Sequence, residues 1–310
     1  MKIAIIGQQD FGKAVLEAFL ARGDEVAGVF CAPEKEGAKP DPLRITAQEK
    51  GLKTFQLASL KGAEAVQAMR DLNADIGIMA FVLQFAPQDF VKVPTHGTIQ
   101  YHPSLLPKFR GPSSINWPII KGETKTGLTI FRPNDGLDEG EIVLQKETPI
   151  GENDTLGSVY FDRLFPMGVA AMLEAADQVV AGKQREIVQD ESQASYEGWC
   201  RAAEARVHFN NHVDFIHNVI RGCDPAPGAW TTSGGKKVQL FGSKKHLVRT
   251  FGAVKGKPGE VTAISATSLF ITAQGGQLEI GKLKHEDGKK LSAGEFAANH
   301  GVAAGALFGT

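Results

Sequence analysis

Residues 2–30, KIAIIGQQDFGKAVLEAFLARGDEVAGVF, contain two apolar runs separated by a glycine turn and an amphipathic stretch. The first run, KIAII at 2–6, predicts a buried strand, and FGKAVLEAFLARG after the turn predicts a helix. VAGVF at 26–30 predicts a second strand. This order is typical of a βαβ unit, in which the two strands lie parallel in one sheet.

The alternation continues along the first half of the chain. It predicts helices at LRITAQEKG and Ala63–Leu72, a short strand at Thr54-Phe55, and strands at Ile76–Phe81 and Thr98–His102. Gly127–Phe131 and Ile142–Glu147 resemble a later hairpin or sheet edge, and one long helix is predicted over 155–182. We therefore expect an α/β domain with a Rossmann-like, mostly parallel sheet.

The pattern changes after about residue 205. Five short β-like runs follow with glycines between them: KKVQLF, HLVRTF, GEVTAIS, SLFITA and QLEIGKL. Close spacing of this kind is typical of a small barrel or sandwich, so we predict an OB-like β-barrel. The expected division is an α/β domain over 1–200 and a C-terminal small β-barrel domain over 206–310. The last residues, 292–310, are rich in small side chains and are expected to be loosely ordered.

Size and charge limit the classes of partner. The chain has 310 residues and a formal net charge of -1, so no overall field attracts nucleic acid or a membrane. Its first apolar run is too short for a signal peptide or a membrane span, and we expect a soluble, cytoplasmic protein. Cys31, Cys200 and Cys223 have neither a disulfide pattern nor metal-ligand spacing, so we expect buried, reduced thiols. The eight histidines also lack ligand spacing, and no metal site is predicted.

One stretch imitates a nucleotide-binding motif. GQQDFGKA at 7–14 nearly matches G-x-x-x-x-G-K-[ST] and lies between a predicted strand and helix. Ala14 lacks the hydroxyl that binds Mg²⁺, and Asp10 would repel phosphate. A tight turn with close helix packing at Gly12 is therefore the favoured interpretation.

The strongest chemical signal is IQYHPSLLPKFRGPSSINW at 99–117. His102 ends a predicted parallel strand, and ligands in open α/β sheets bind beyond the carboxyl ends of strands. Pro103 restricts the backbone of His102, and the stiff segment Ser104–Pro107 suits a flat, partly polar heterocycle. A glycine-hinged acidic loop, NDGLDEG at 134–140, follows a later strand. A histidine and a carboxylate on neighbouring loops are a pair that acid–base chemistry uses, although a structural proline loop and an ordinary turn would leave the same pattern.

These motifs together resemble the folate-dependent formyltransferases. The resemblance rests on HPSLLP followed by RG at 110–111 and on GLDEG at 136–140. IAIIGQQDFG, VAGVF, HGTIQYHPSLLP, SINW and RGCDPAPGAW extend it along nearly the whole chain. The family includes methionyl-tRNA and glycinamide ribonucleotide formyltransferases, and the motifs look most similar to those of the hydrolase domain of 10-formyltetrahydrofolate dehydrogenase.

The resemblance implies a role for each matching residue. His102 would stabilise the negative charge that develops on the formyl oxygen, and Asp138 would position or deprotonate the attacking water or amine. Gln100 stands where formyltransferases generally carry asparagine, so either its longer amide is a second donor or His102 acts alone. The implied wall for 10-formyltetrahydrofolate comprises Phe81, Val82, Leu83, Gln84, Phe85, Ala86, Ser104, Leu105, Leu106, Pro107, Asp135 and Asp138. Core packing is the plainer interpretation of Phe81–Phe85.

Three functions fit this resemblance. The leading hypothesis is an enzyme that hydrolyses 10-formyltetrahydrofolate to tetrahydrofolate and formate, or that passes the formyl group to carrier and aldehyde dehydrogenase domains, linked or separate. The second is formyl transfer to an amine, on Met-tRNA or a small metabolite. The near-neutral segment CAPEKEGAKPDPLR at 31–44 disfavours tRNA, while the lysines at 236–245 leave it open. The third is a folate-binding module without catalysis.

Overall fold

The computed structural model describes residues 1–250, 254–286 and 288–309. The strands are β1 Lys2–Gly7, β2 Glu25–Cys31, β3 Thr54–Gln56, β4 Ile76–Ala80, β5 Thr98–His102, β6 Lys125–Phe131, β7 Ile142–Pro149, β8 Trp230–Ser233, β9 Lys236–Leu247, β10 Val261–Ile264, β11 Leu269–Ala273, β12 Gly276–His285 and β13 Leu291–Ser292. The helices are α1 Gln9–Arg22, α2 Pro42–Glu49, α3 Ala63–Leu72, α4 Gln88–Val91, α5 Asn116–Ile120, α6 Leu156–Val159, α7 Phe165–Val180, α8 Val213–Gly222 and α9 Ala293–His300. Within these described ranges, no helix combines the length and apolar character that crossing a membrane requires.

The chain forms two compact units. The first comprises Met1–Gly111, Gly127–Thr148 and Arg163–Tyr196, and the second comprises Pro112–Thr126, Pro149–Asp162 and Glu197–Thr310. Two segments of the predicted catalytic domain, 112–126 and 149–162, thus belong to the second unit. Whether 1–200 and 206–310 are separate functional domains remains a prediction.

The first unit is built on the expected α/β sheet. Among the described residues, seven strands lie in the order β3-β2-β1-β4-β5-β6-β7. The pairs from β3 to β5 are parallel, whereas β5 pairs with β6 in the antiparallel direction. The predicted Rossmann-like, mostly parallel architecture is confirmed, and the predicted bounds of β5 and α3 match those observed.

Both faces of this sheet are covered, which explains why its strands read as continuous apolar runs. On one face, Phe11 of α1 stacks on Tyr101 of β5 with ring centroids 4.3 Å apart, and Met172 of α7 joins the same core. On the other face, Met69 of α3 and Phe90 of α4 pack in a second cluster.

The single helix predicted over 155–182 is confirmed as one helical stretch over 156–180, but it contains a π-helical turn. Helix α6 is followed by a π-helical turn at Tyr160–Leu164, and α7 then begins at Phe165. Pro166 stands in the first turn of α7, where its missing N–H costs little. In the interior of an uninterrupted helix, the same proline would remove a hydrogen bond.

The second unit contains an antiparallel sheet where the small barrel was predicted. Six described strands form it: β10-β11-β12-β9-β8 in order, with β13 on β12. The runs KKVQLF and HLVRTF were predicted as separate strands, but Lys236–Leu247 is one strand; Phe251 lies outside the described residues.

The expectation of a loosely ordered tail is wrong. Ala293–His300 forms helix α9, and its cap, Ser292, accepts from the Glu295 N–H. Further along, the Val261 N–H donates to the Ala306 carbonyl (2.9 Å), and the Gly309 N–H donates to the Thr232 carbonyl (2.7 Å). The tail therefore bridges the two edge strands, β10 and β8, and satisfies backbone groups that an open edge would expose.

Candidate active site

His102 lies at the carboxyl edge of the first sheet, as predicted. It is the last residue of β5, and β5 pairs in parallel with β4 through Gln100 and Met79. The carboxyl ends of both strands therefore face the same edge, so Phe81, which follows β4, and His102 lie there together.

The orientation of the His102 ring is set by one hydrogen bond. Nε2 lies 2.9 Å from the carbonyl oxygen of Phe109, and because a carbonyl only accepts, Nε2 carries the proton and donates it. Nδ1 is then the nitrogen that faces Oδ2 of Asp138, at 3.6 Å. Both side chains are buried, with relative exposures of 5% and 7%. The tertiary structure thus brings together the two members of the sequence-predicted acid–base pair. A buried imidazole and a buried carboxylate interact more strongly than exposed ones, because little water separates them.

Asp138 has one oxygen engaged and one open. Oδ2 accepts from the backbone N–H of Gly111 at 2.9 Å, whereas Oδ1 has no hydrogen-bond partner among the described residues. The backbone of Asp138 is in the left-handed region, with φ of +57°. A non-glycine residue rarely adopts this conformation unless its surroundings hold it there.

Gln100 occupies the same face of β5 as His102, because residues two apart in a strand project to the same side. Its side chain is partly exposed and makes no hydrogen bond to the described part of the chain. The amide N–H groups are therefore available to a ligand at this edge.

The loop after β4 presents three exposed apolar side chains. Phe81, Leu83 and Phe85 are 43%, 63% and 49% exposed, so the core-packing interpretation does not describe them. Between them, Val82 and Gln84 are partly buried, and Gln84 donates to the carbonyls of Leu57 and Ala58.

Exposed and partly buried side chains therefore alternate along this loop. One side of the loop is apolar and faces solvent, and the other side packs or hydrogen-bonds to the rest of the protein. Ala86, at its end, is buried. The Lys61 ammonium lies 4.8 Å from the Phe85 ring centroid, a cation–π contact that places a positive charge beside the apolar side chains.

The loop after His102 is held rigidly. The Leu106 N–H donates to the Thr129 hydroxyl, and Gln145 donates to the Leu106 carbonyl at 2.7 Å. Ser104 is fully buried, and its hydroxyl donates to the Lys108 carbonyl. Of the other predicted wall residues, Leu106 is buried, Leu105 and Pro107 are partly exposed, and Asp135 is exposed. The side chains of Ser104 and Leu106 therefore support the loop, and Leu105 and Pro107 form its accessible part.

Sequence reasoning missed the groups that hold the pair in place. The Phe109 carbonyl and the Gly111 N–H lie within the quoted motif, but their roles depend on tertiary contacts. Gln189, which donates to the Asp138 carbonyl, is 51 residues away along the chain. No motif in the sequence marks it.

The start of α1 carries a carboxylate where a nucleotide motif would bind phosphate. The backbone N–H of Gln9 donates to Oδ2 of Asp41 at 2.8 Å, and Asp10 lies in the first turn of the helix. Asp41 also caps α2 by accepting from the N–H groups of Leu43 and Arg44. An anion at this position would face two carboxylates.

Metal-ligand clusters and disulfides do not occur in the described ranges. No group of at least three histidine, cysteine, aspartate or glutamate residues could hold a metal ion there. The three cysteines are free and buried, as expected, and burial raises the pKa of Cys31 to about 12.

The architecture agrees with what comparison with known proteins reveals. Residues 1–175 match the formyl transferase family, and residues 200–301 match the formyl transferase C-terminal domain. The chain belongs to the formyl transferase family.

Among curated relatives, the chain is 37% identical to the mitochondrial 10-formyltetrahydrofolate dehydrogenase of Homo sapiens over 308 residues, which cover 96% of this chain and 33% of that protein. It is 31% identical to the methionyl-tRNA formyltransferase of Geotalea uraniireducens (strain Rf4), covering 100% of this chain and 98% of the relative. The chain thus spans about a third of the length of the dehydrogenases it matches. Among solved structures, HypX from Aquifex aeolicus in complex with tetrahydrofolic acid shares the fold, with a TM-score of 0.68 and 22% identity over 96% of this chain and 47% of that one.

Proposed function

We propose that this chain hydrolyses 10-formyltetrahydrofolate to tetrahydrofolate and formate. The observation that carries the proposal is the buried pair of His102 Nδ1 and Asp138 Oδ2, 3.6 Å apart at the carboxyl edge of a parallel sheet. Removal of a formyl group needs a base for the nucleophile and a donor for the developing oxyanion, and the pair supplies both.

In the proposed reaction, a water molecule adds to the formyl carbon while the open oxygen of Asp138 takes one of its protons. In this proposal the His102 ring is doubly protonated: Nε2 keeps its bond to the Phe109 carbonyl, while Nδ1 and the amide of Gln100 donate hydrogen bonds to the formyl oxygen as it becomes negative. The tetrahedral adduct then collapses, the bond from carbon to N10 breaks, and the proton held by Asp138 passes to N10. The second water proton leaves with formic acid, which ionises in solvent, so the products are tetrahydrofolate, formate and one proton, and atoms and charge balance.

Pterin binding is assigned to two loops, the one that follows β4 and the one that follows His102. The exposed side chains of Phe81, Leu83 and Phe85 offer an apolar surface, and Leu105 and Pro107 offer a rigid one. A flat heterocycle gains contact area on such surfaces at little entropic cost, because the loop after His102 is already held by hydrogen bonds.

Water is favoured over a phosphorylated acceptor by the charges at the same sheet edge. Asp41 accepts the Gln9 N–H, which an incoming phosphate would otherwise use, and Asp10 adds a second carboxylate. Arg44 is occupied by Glu34, with Nε and Oε1 2.6 Å apart. A phosphate-rich acceptor such as tRNA would therefore gain little here.

Formyl transfer to an amine is the second candidate. Its specific support is the match to a methionyl-tRNA formyltransferase over 98% of that protein's length. A tRNA acceptor predicts that activity falls steeply as salt rises, whereas hydrolysis predicts little change.

The experiment measures formyl hydrolysis and formyl transfer in parallel incubations. The purified chain is incubated with 10-formyltetrahydrofolate alone, with Met-tRNA, and with a small primary amine, and formate, tetrahydrofolate and formylated amine are quantified. Formate release without an acceptor, lost in Asp138→Asn and retained in Asp71→Asn, an exposed aspartate on α3 outside the site, supports hydrolysis. Formylated acceptor without formate release would overturn it, and tight folate binding without any product would identify a non-catalytic module.

A further inference from the structure

The amide of Gln189 grips the loop that carries Asp138. Its Nε2 donates to the Asp138 carbonyl at 2.8 Å and to the Gly140 carbonyl at 2.7 Å, so the two bonds span Glu139. Gln189 is 5% exposed and comes from the segment that follows α7. A buried amide with both hydrogens on one loop restrains that loop more than a surface contact would.

Arg110 holds the other end of this amide. Its Nη2 and Nε donate to Oε1 of Gln189 at 2.8 and 3.3 Å, and its Nη2 and Nη1 lie 2.6 and 2.9 Å from the carboxylate of Glu191. Arg110 is buried, and the hydrogen bonds that it donates to Glu191 raise the pKa of its guanidinium. Donation from a permanently charged, planar group orients the Gln189 amide, because only the oxygen end can face the arginine.

The neighbours of Arg110 in the chain contact the catalytic pair directly. The carbonyl of Phe109 accepts from His102 Nε2, and the N–H of Gly111 donates to Asp138 Oδ2. A single three-residue segment therefore orients the imidazole with its first residue, the Gln189 amide with its second, and the carboxylate with its third.

The loop itself needs external support. Asp138 has φ of +57°, and a side chain at Gly140 would meet the Arg132 carbonyl oxygen, since an added Cβ would lie 1.6 Å from it. A backbone with these constraints has few alternative ways to relax, and bonds to its carbonyls select one of them.

We infer that Arg110 and Gln189 are positioning residues for the candidate reaction: they set the distance and angle between the Asp138 carboxylate and the His102 ring. This inference rests on the proposed function. It predicts that loss of the two donated bonds lowers turnover much more than it lowers folate binding, since neither residue belongs to the pterin wall.

The test uses Gln189→Glu, which keeps the shape and the acceptor for Arg110 but removes both N–H donors. We expect kcat to fall about 10- to 100-fold while KM changes less than about threefold, because small displacements of a reacting group are costly. Arg110→Lys should act in the same direction. Leu72→Ala is the stability control. Leu72 is 3% exposed and lies in the core cluster that contains Met69 and Phe90, so its truncation should lower the melting temperature while kcat is retained.

A second readout does not require activity. Exchange of the Gly111 amide hydrogen reports whether the Asp138 carboxylate is in place, because that N–H donates to it. Gln189→Glu should accelerate exchange at Gly111 more than Leu72→Ala does. Unchanged kcat and unchanged exchange in folded Gln189→Glu and Arg110→Lys would overturn the inference while leaving hydrolysis intact. If the wild-type chain releases no formate, the proposed function fails, and the exchange measurement alone decides the positioning role.

Discussion

Oδ2 of Asp138 lies 3.6 Å from Nδ1 of His102 while accepting the Gly111 N–H at 2.9 Å. One oxygen of the carboxylate is thus used to place the group, and the other remains open. The two nitrogens of the His102 ring also differ in role: Nε2 donates to the Phe109 carbonyl and fixes the ring, whereas Nδ1 faces Asp138. In each side chain, one polar atom holds the group in position and the other is available for the proposed reaction.

The charge of Asp138 is predicted to be essential. Asp138→Asn should lower formate release by about 10²- to 10⁴-fold, because the amide cannot take a proton from water. Its oxygen can still accept the Gly111 N–H, so folate affinity and melting temperature should change little. Steady-state formate assays and calorimetry with tetrahydrofolate measure the two effects. Full activity in this variant would show that another group is the base.

Gln100 is predicted to contribute a donor to the oxyanion. Gln100→Leu should lower kcat about 10²-fold with KM nearly unchanged, since the bond would form mainly in the transition state. The amide has no partner among the described residues, so removing it leaves no protein group unpaired. Gln84→Leu is a contrasting amide change, because it breaks bonds to the Leu57 and Ala58 carbonyls instead. A Gln100→Leu enzyme with unchanged kcat would mean that His102 carries the stabilisation alone.

The exposed apolar side chains after β4 are predicted to bind the folate. Leu83→Ala or Phe85→Ala should weaken tetrahydrofolate binding about 5- to 10-fold, which corresponds to roughly 1–1.5 kcal/mol of lost apolar contact. Folding stability should hardly change, because these side chains are 63% and 49% exposed. Ile45→Ala, at 36% exposure on α2, is the matched control, and titration calorimetry gives the affinities. Equal affinities in all three variants would contradict the assignment.

The second unit is predicted to lose stability as pH falls below 7. Burial lowers the pKa of His217 from its ordinary value of 6.5, and the nearby Arg221 and Lys245 lower it further. The folded state therefore binds the proton less readily than the unfolded state does. Stability is full above pH 6.5 and is lost toward the depressed folded pKa, by at most about 1.4 kcal/mol per pH unit.

His217→Gln offers a test of this pH dependence. The Nε2 of His217 donates to the Glu152 carbonyl at 2.9 Å, and Nδ1 accepts from the Ser243 hydroxyl at 2.8 Å. A glutamine amide offers the same donor and acceptor without titrating. Denaturant unfolding can be followed by tryptophan fluorescence, because all three tryptophans lie in the second unit. Equal slopes of stability against pH for the two proteins would refute the prediction.

Local patterns in the sequence were sufficient for the fold class. The apolar runs of β1 to β5, and the helix at Ala63–Leu72, follow from periodicities that need only neighbouring residues. Errors arose where the outcome depends on distant contacts. The tail from 292 to 309 reads as loose because its residues are small, yet it is ordered by hydrogen bonds to β8 and β10. The helix predicted over 155–182 has the expected extent, and only its π-helical turn before Pro166 was not predicted.

The sequence marks His102 and Asp138 as candidates through a proline-restrained histidine loop, a glycine-rich acidic loop and the resemblance to the folate-dependent formyltransferases. Their separation of 3.6 Å, the tautomer of the ring and the open Asp138 oxygen are products of the tertiary structure. So are the bonds from Arg110 to Gln189, which is 79 residues away, and from Gln189 to Asp138, which is 51 residues away. The amino-acid sequence specifies which chemical groups are present and which strands, helices or loops carry them. Only the packing of these elements against one another brings the groups within hydrogen-bonding distance, because such contacts depend on the whole sheet and its loops at once.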